Sequence, residues 1–380
     1  MDYKPFCNTE IVFENIEGLK QRLLSLDVAN VLLVMSESSV SRWNMTSFIH
    51  ELQARYETKN GALTWIRTIA PNPNPIDIIQ SLLQIGNRQI DTIVAIGGGS
   101  VIDLAKAISA FHITGTSVSF LIDEIKDSIR NKKYQGGEFI DIIAVPSTAG
   151  TGSEVTQWAT LWDENKTCKF SIDDPGLKPK LAIIVPELTI SMSAELTLST
   201  GLDAMCQSIE AYWSKHTTPV VQEIAHRAIE IIIQNLRKAV DYPDNLRVRE
   251  NLCRASVLAG LAFSQTKTTA CHSISYPLTM FYGVPHGIAA AITLDTVGQI
   301  NKGHFPNDDK LFKLFEDYGG IMNYINSACN GVIDMRLSAF GITEKNISLI
   351  VKNAFTGGRM DNNPVDLTED DVVVILESVK

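Results

Sequence analysis

The chain contains no run of 18 apolar residues, so no membrane-spanning helix is expected. Its opening, MDYKPFCNTEIVFENIEGLK, lacks a basic start followed by an apolar stretch, so no secretory leader is expected either. Cysteine is sparse. The six residues (Cys7, Cys168, Cys206, Cys253, Cys271 and Cys329) are scattered without close paired spacing, as reduced thiols in a cytoplasmic protein would be. Positive charge is outnumbered: 33 Lys and Arg against 43 Asp and Glu give a formal net charge of -10. A nucleic-acid or anionic-membrane partner is therefore not expected. A small anionic substrate stays open, since one local Lys or Arg can hold it. There is no internal repeat and no low-complexity tract.

What is present is a globular balance, 45% hydrophobic and 20% charged, over 380 residues, enough for two domains. Val31 to Met35, Thr92 to Ile96 and Ile140 to Val145 are near-continuous apolar runs. Helical stretches at Trp43 to Tyr56 and Ile102 to Phe111 alternate with them. Buried strands separated by helices imply a parallel sheet covered on both faces, an α/β domain. After Pro186 long amphipathic helices take over: Gly201 to Lys215, Pro219 to Ala239, Asn245 to Phe263, and more beyond Asp308. The expected division is an α/β domain over 1–187 and an all-α domain over 188–380, with a catalytic site in the cleft between them.

The run from Thr92 to Lys106 (TIVAIGGGSVIDLAK) reads as strand, glycine turn and helix start. Gly97, Gly98 and Gly99 let the backbone approach a ligand. The first helical amides and the helix dipole then favour an anion, most naturally a pyrophosphate. The spacing is not GxGxxG, so this is no ordinary Rossmann fingerprint. A second loop after the third strand, Pro146 to Glu154 (PSTAGTGSE), crowds small residues and hydroxyls suited to a nicotinamide amide or ribose.

Two histidines, His272 and His286, lie 14 apart on either side of Gly283 and Pro285. Upstream, Asp203 and Gln207 are four apart on one helix and share a face. Two imidazoles, a carboxylate and an amide oxygen would suit Fe(II), Zn(II), Co(II) or Mn(II). By spacing alone each histidine would equally serve as a packed core residue, and Asp203 as a helix N-cap.

GGGSVIDLAK, PSTAGTGSE, TGLDAMCQSIEAYWS and the His272/His286 pair, in that order, resemble the iron-containing (group III) alcohol dehydrogenase family. The resemblance extends over nearly the whole chain. It implies a dehydroquinate synthase-like fold: a nucleotide-binding α/β domain and a helical metal- and substrate-binding domain, often as a homodimer. It further implies NAD or NADP, a divalent metal (Fe2+ first, Zn2+ or Mn2+ as alternatives) and hydride transfer to a small aldehyde. By position, Gly97, Gly98, Gly99 and Ser100 fall where the family cradles the pyrophosphate, with Asp103 on the adjoining helix. Thr148 and Thr151 fall at nucleotide contacts, and Asp203, His272 and His286 at metal positions.

The chain departs from the family pattern in places. The fourth metal position, usually His, is Gln207, and a further His is replaced by Tyr276, which becomes a candidate proton donor beside water and the cofactor ribose. Where NAD-preferring members often carry Asp after the first strand, this chain has Ser36, with Glu37 next to it. Ser36 tolerates the 2'-phosphate of NADP and Glu37 opposes it. The stretch Lys267 to Thr279 resembles the phosphonoacetaldehyde reductase branch. There Lys267, with Thr268 and Thr269, is a candidate for binding a phosphonate, or else an exposed helix lysine. Arg359 and the run from Asp361 to Pro364 resemble a C-terminal loop of the family and receive no role. The rival readings are a reductase of an ordinary short aldehyde, a glycerol-type dehydrogenase, a dehydroquinate synthase-like lyase, and a nucleotide-binding protein that has lost catalysis.

Overall fold

A computed structural model describes residues 7–58, 61–112, 122–163 and 169–380. It divides into two compact units: 1–148 with 153–191, and 149–152 with 192–380.

The first unit is built on a six-stranded parallel sheet. Its strands are β1 (Glu10–Phe13), β2 (Asn30–Val34), β3 (Ala62–Ile66), β4 (Thr92–Gly97), β5 (Asp141–Pro146) and β8 (Leu181–Ile184), in the order β1-β8-β5-β4-β2-β3. A separate antiparallel ribbon pairs β6 (Trp158–Trp162) with β7 (Lys169–Asp173). The helices of this unit are α1 (Ile16–Ser25), α2 (Glu37–Arg42), α3 (Thr46–Thr58), α4 (Pro75–Ile85), α5 (Gly99–Phe111) and α6 (Ile122–Arg130).

Side chains alternate across a strand, so each central strand feeds two cores. Leu32, Val34, Ile93, Ala95, Ile142 and Ala144 point to the side covered by α4, α5 and α6. Val31, Leu33, Val94, Ile96, Ile143 and Val145 point to the side covered by α1 and α3. This double burial is why β2, β4 and β5 read as unbroken apolar runs. The edge strands β1 and β3 are only partly covered and carry a weaker signal. The chain runs from β2 outward to β3, then returns to the other side of β2 as β4. The strand order therefore reverses between β2 and β4, and ligands of open α/β sheets bind at the carboxyl ends beside such a reversal.

The second unit is helical: α7 (Ala194–Trp213), α8 (Pro219–Asp241), α9 (Leu246–Thr266), α10 (Ala270–Tyr282), α11 (His286–Ile292), α12 (Leu294–Asn301), α13 (Asp308–Lys313), α14 (Ile321–Cys329), α15 (Glu344–Asn353) and α16 (Glu369–Glu377). The central helix, α7, starts at a Ser193 cap whose hydroxyl accepts from Leu196 N, and it is buried on every side from Thr197 to Trp213. It packs against α8, α9 and α11. Among the described residues, no helix is long and apolar enough to cross a membrane. Cys7, Cys206, Cys253, Cys271 and Cys329 are free thiols, and Cys168 lies outside the described residues.

Candidate metal and nucleotide sites

A helix buried all round has no solvent to satisfy its polar side chains, so each one needs a partner. On α7 three such groups, Asp203, Gln207 and Glu210, occupy successive turns of one face. Asp203 Oδ1 lies 3.2 Å from His272 Nε2, and ligand atoms of Asp203, His272 and His286 all lie within 4.8 Å of one another. The two imidazole rings meet edge to face at 5.4 Å. His286 opens α11, and Gly287 behind it allows the approach. A Cβ at 287 would come 1.8 Å from Ser199 O and 2.9 Å from Asp203 Cβ, so only glycine brings this helix end against α7.

The sequence reading missed Glu210. It is wholly buried, and its carboxylate accepts from His272 Nδ1, from Thr269 Oγ1 at 2.9 Å and from His272 N at 3.2 Å. Occupying Nδ1 turns Nε2 toward Asp203 as the coordinating nitrogen. Burial opposes charge on this ring, but Glu210 and Asp203 overcome it and push its pKa up to about 10. Glu210 is itself held below the usual carboxylate range. Burial works against that, and the His272 charge and hydrogen bonds outweigh it. The pocket thus prefers a positive occupant. Ser275, also unforeseen, donates from Oγ to His272 O at 2.7 Å and lies 3.4 Å from His286 Nδ1. Tyr276 is buried, and its ring stacks on His286 at 5.8 Å with planes 5° apart.

These residues fit a divalent cation. Two imidazole nitrogens and a carboxylate oxygen converge, and one turn along the same helix face Gln207 Oε1 is buried without a hydrogen-bond partner. An orphaned amide oxygen of this kind is costly, about 1–3 kcal/mol, unless a ligand satisfies it.

Lys267 caps the end of α9 at φ 61°, ψ 178°, a region that almost only glycine occupies and that costs a lysine roughly 1–3 kcal/mol. Its Nζ lies 3.9 Å from where a Cβ on Gly358 would stand. Thr268 and Thr269 are buried, and Thr269 Oγ1 accepts from Trp213 Nε1 at 2.8 Å while donating to Glu210.

In the first unit the predicted nucleotide residues gather at the carboxyl ends of adjacent strands. Gly97 ends β4, Gly98 caps α5 without a side chain of its own, and Gly99 and Ser100 form its first turn. The dipole of this 13-residue helix therefore begins at bare backbone. Ser100 Oγ accepts from Asn72 N at 3.1 Å. Thr148 follows β5 and lies against Gly98, its Cγ2 3.4 Å from a Cβ placed there. Ser36 follows β2 and caps α2, accepting from Ser39 N at 3.2 Å. Thr151 belongs to the short piece 149–152 of the second unit, whose Gly150 packs directly on Thr200 of α7.

Asp103, on α5, is bonded within the first unit. Its Oδ1 accepts from Ser153 Oγ at 2.7 Å and its Oδ2 from Thr160 N at 3.0 Å. Buried Lys106, three residues on, donates to Ser153 O, Ser153 Oγ and Trp158 O at 2.7, 2.9 and 2.8 Å. Both side chains tie α5 to the end of the second loop and the strand that follows it. Burial drives Lys106 down to about 8, against the pull of Asp103 and Glu154, and drives buried Glu154 up to about 7.

The chain is similar to known proteins over nearly its whole length. The family model described as iron-containing alcohol dehydrogenase matches residues 8–186. That described as Fe-containing alcohol dehydrogenase family, C-terminal, matches residues 197–379. The chain is 31% identical to the 1,3-propanediol dehydrogenase of Klebsiella pneumoniae, over 81% of this chain and 80% of that protein. It is 28% identical to the NADPH-dependent butanol dehydrogenase of Clostridium saccharobutylicum, over 96% and 95%. Its fold matches the crystal structure of sulfoacetaldehyde reductase from Bifidobacterium kashiwanohense in complex with NAD+, with TM-score 0.84 and 29% identity, covering 100% of this chain and 99% of that one.

Proposed function

The chain belongs to the iron-containing alcohol dehydrogenase family of metal-dependent, NAD(P)-linked alcohol dehydrogenases and aldehyde reductases, and from that premise we propose that it reduces a small aldehyde bearing an anionic group, with phosphonoacetaldehyde as the type substrate. The observation that carries the reading is the convergence of Asp203, His272 and His286 with Glu210 behind the first imidazole. Lys267 supports the anionic substituent: a lysine kept in a costly backbone conformation beside the metal-ligand helix is the cation such a group needs. The Bifidobacterium reductase acts on sulfoacetaldehyde, itself an anionic aldehyde.

A divalent ion held here would polarise a carbonyl oxygen, and a reduced dinucleotide would supply hydride. Asp203, His272 and His286 hold the cation, Fe2+ first, with Gln207 Oε1 as a weaker fourth donor. Glu210 fixes the ring orientation of His272. The amides of Gly98, Gly99 and Ser100 at the start of α5 would hold the pyrophosphate, Ser36 the ribose side of NAD or NADP, and Thr148 and Thr151 the nucleotide. Asp103 serves the cofactor indirectly, by tying the cradle helix to the second loop. Tyr276 Oη supplies the proton required at the product oxygen. We further place the protein in the cytoplasm as a homodimer.

Replacing His272 or His286 with Ala should abolish both metal content and turnover, and full retention of either would refute the assignment. Lys267→Ala separates the substrate classes. Loss of a charge-assisted contact, about 1.5–3 kcal/mol, should raise KM for phosphonoacetaldehyde by about 10–100-fold and leave propanal unchanged. An equal effect on both substrates would favour an ordinary short aldehyde.

A further inference from the structure

The C-terminal run from Arg359 to Pro364 has no part in the reaction as described, yet one of its side chains is built into the turn that carries Lys267. Asn362 is buried, and its Nδ2 donates to Thr268 O at 3.2 Å, to Gly358 O at 2.9 Å and, more weakly, to Thr266 O at 3.4 Å. The carbonyls of Thr266 and Thr268, the two residues flanking Lys267, thus share one amide. Asn362 is itself anchored at both ends: its N donates to Arg359 O and its O accepts from Lys215 N, each at 3.0 Å. Asn363, fully buried, exchanges two amide hydrogen bonds with Asn301 at 2.8 and 2.9 Å. A second tie lies nearby: Ser273, next to His272, donates to Ala354 O at 2.5 Å and accepts from Thr356 N at 3.0 Å.

A lysine left to itself would relax out of φ 61°, ψ 178°. Something must over-determine that conformation: Lys267 N donates to Phe263 O at 2.7 Å, Lys267 O accepts from Thr266 Oγ1 at 2.8 Å, and the Asn362 amide bridges the carbonyls of Thr266 and Thr268 across the turn. Two residues further on, Thr269 holds Glu210, and Glu210 holds His272. We infer that Asn362 is a positioning residue: it holds the Lys267 turn in its strained form and through Thr269 and Glu210 sets the orientation of His272. The last link rests on the metal-centre reading above, while the clamp on the turn does not.

The test is a double-mutant cycle of Asn362→Ala and Lys267→Gly on the full chain. Glycine occupies the turn's conformation freely, so it removes the need for the clamp. In metal-free protein, Asn362→Ala should lower Tm markedly in the wild-type background and much less in the Lys267→Gly background. In Co(II)-loaded protein, Asn362→Ala should shift the visible d–d bands and cut kcat for propanal about tenfold, with KM within twofold. Adding Lys267→Gly should restore most of that loss. Equal, additive losses in both backgrounds would overturn the clamp, and an unchanged Co(II) spectrum would overturn its action on His272. If the wild type binds no Co(II), the metal reading fails, and the Tm cycle still decides on the clamp. Asn362→Ser, smaller and polar, stands in if the alanine variant does not fold.

Discussion

The Glu210 carboxylate lies against Nδ1 of His272, and the two residues, 62 apart in sequence, are both fully enclosed. A carboxylate behind a metal-ligand imidazole fixes its tautomer and raises its basicity, and loss of such a partner typically costs 10–100-fold in metal affinity. Glu210→Gln keeps the volume and removes the charge. The expected result is a folded protein, by circular dichroism, whose affinity for Zn(II) or Co(II) in a chelator competition falls by about 10–100-fold. Affinity equal to that of the wild type would mean that Glu210 only fills space.

Buried Glu154 gives the protein a distinctive pH dependence. Its folded-state pKa is raised from 4.5 to about 7, so the folded protein holds this proton more tightly than the unfolded chain. The associated stability is complete below pH 4.5 and is lost as pH rises through 7. Glu154→Gln cannot ionise and should lack this slope. In urea denaturation the variant should gain on the wild type between pH 5 and pH 8 by up to about 3 kcal/mol. A wild-type-to-variant difference that is constant with pH would mean that Glu154 titrates normally.

How far the sequence disclosed this molecule follows from where each residue is buried. β2, β4 and β5 were legible because both faces are covered, which writes an unbroken apolar run. The edge strand β3 (ALTWI) is mostly half-exposed and left no such run. Gly201 was read as the start of a helix that in fact begins at Ala194, although the Ser193 cap and Glu195 in its first turn are signals of the usual kind. Asp203 and Gln207 were readable as one helical face. Glu210 extends that face by a further turn, but its meaning comes from a histidine on another helix, and such long-range pairings leave no local pattern. The bonds of Asp103 to Ser153 and Thr160, 50 and 57 residues away, are equally invisible in the local pattern.

One surface ion pair makes cofactor choice testable. Glu37, beside Ser36 at the end of β2, would repel a 2'-phosphate, but Arg67 at the end of neighbouring β3 pairs with it at 3.4 Å and lies over the Trp65 ring. If the cofactor's 2'-position falls here, the offset carboxylate and the adjacent cation would favour a phosphate. Arg67→Ala should lower kcat/KM for NADPH about tenfold, the scale of one phosphate contact, and leave NADH within twofold. Glu37→Gln should move the ratio toward NADPH. If neither variant changes the NADPH-to-NADH ratio, the 2'-position lies elsewhere.

Gln207 offers a test in which stability and binding move in opposite directions. Its buried Oε1 has no hydrogen-bond partner among the described residues, at a cost of about 1–3 kcal/mol. Gln207→Leu removes that orphan, so the metal-free variant should melt higher, by about 2–4 °C per kcal/mol relieved. If the oxygen serves a cation, the same variant should bind metal more weakly. Gln207→His, which places a stronger nitrogen donor on the same turn, should bind more tightly. The measurements are differential scanning calorimetry on chelator-stripped protein and competition titration with Fe(II) or Zn(II). A leucine variant that is stabilised yet keeps wild-type affinity would remove Gln207 from the coordination sphere and leave Asp203, His272 and His286 as its protein ligands.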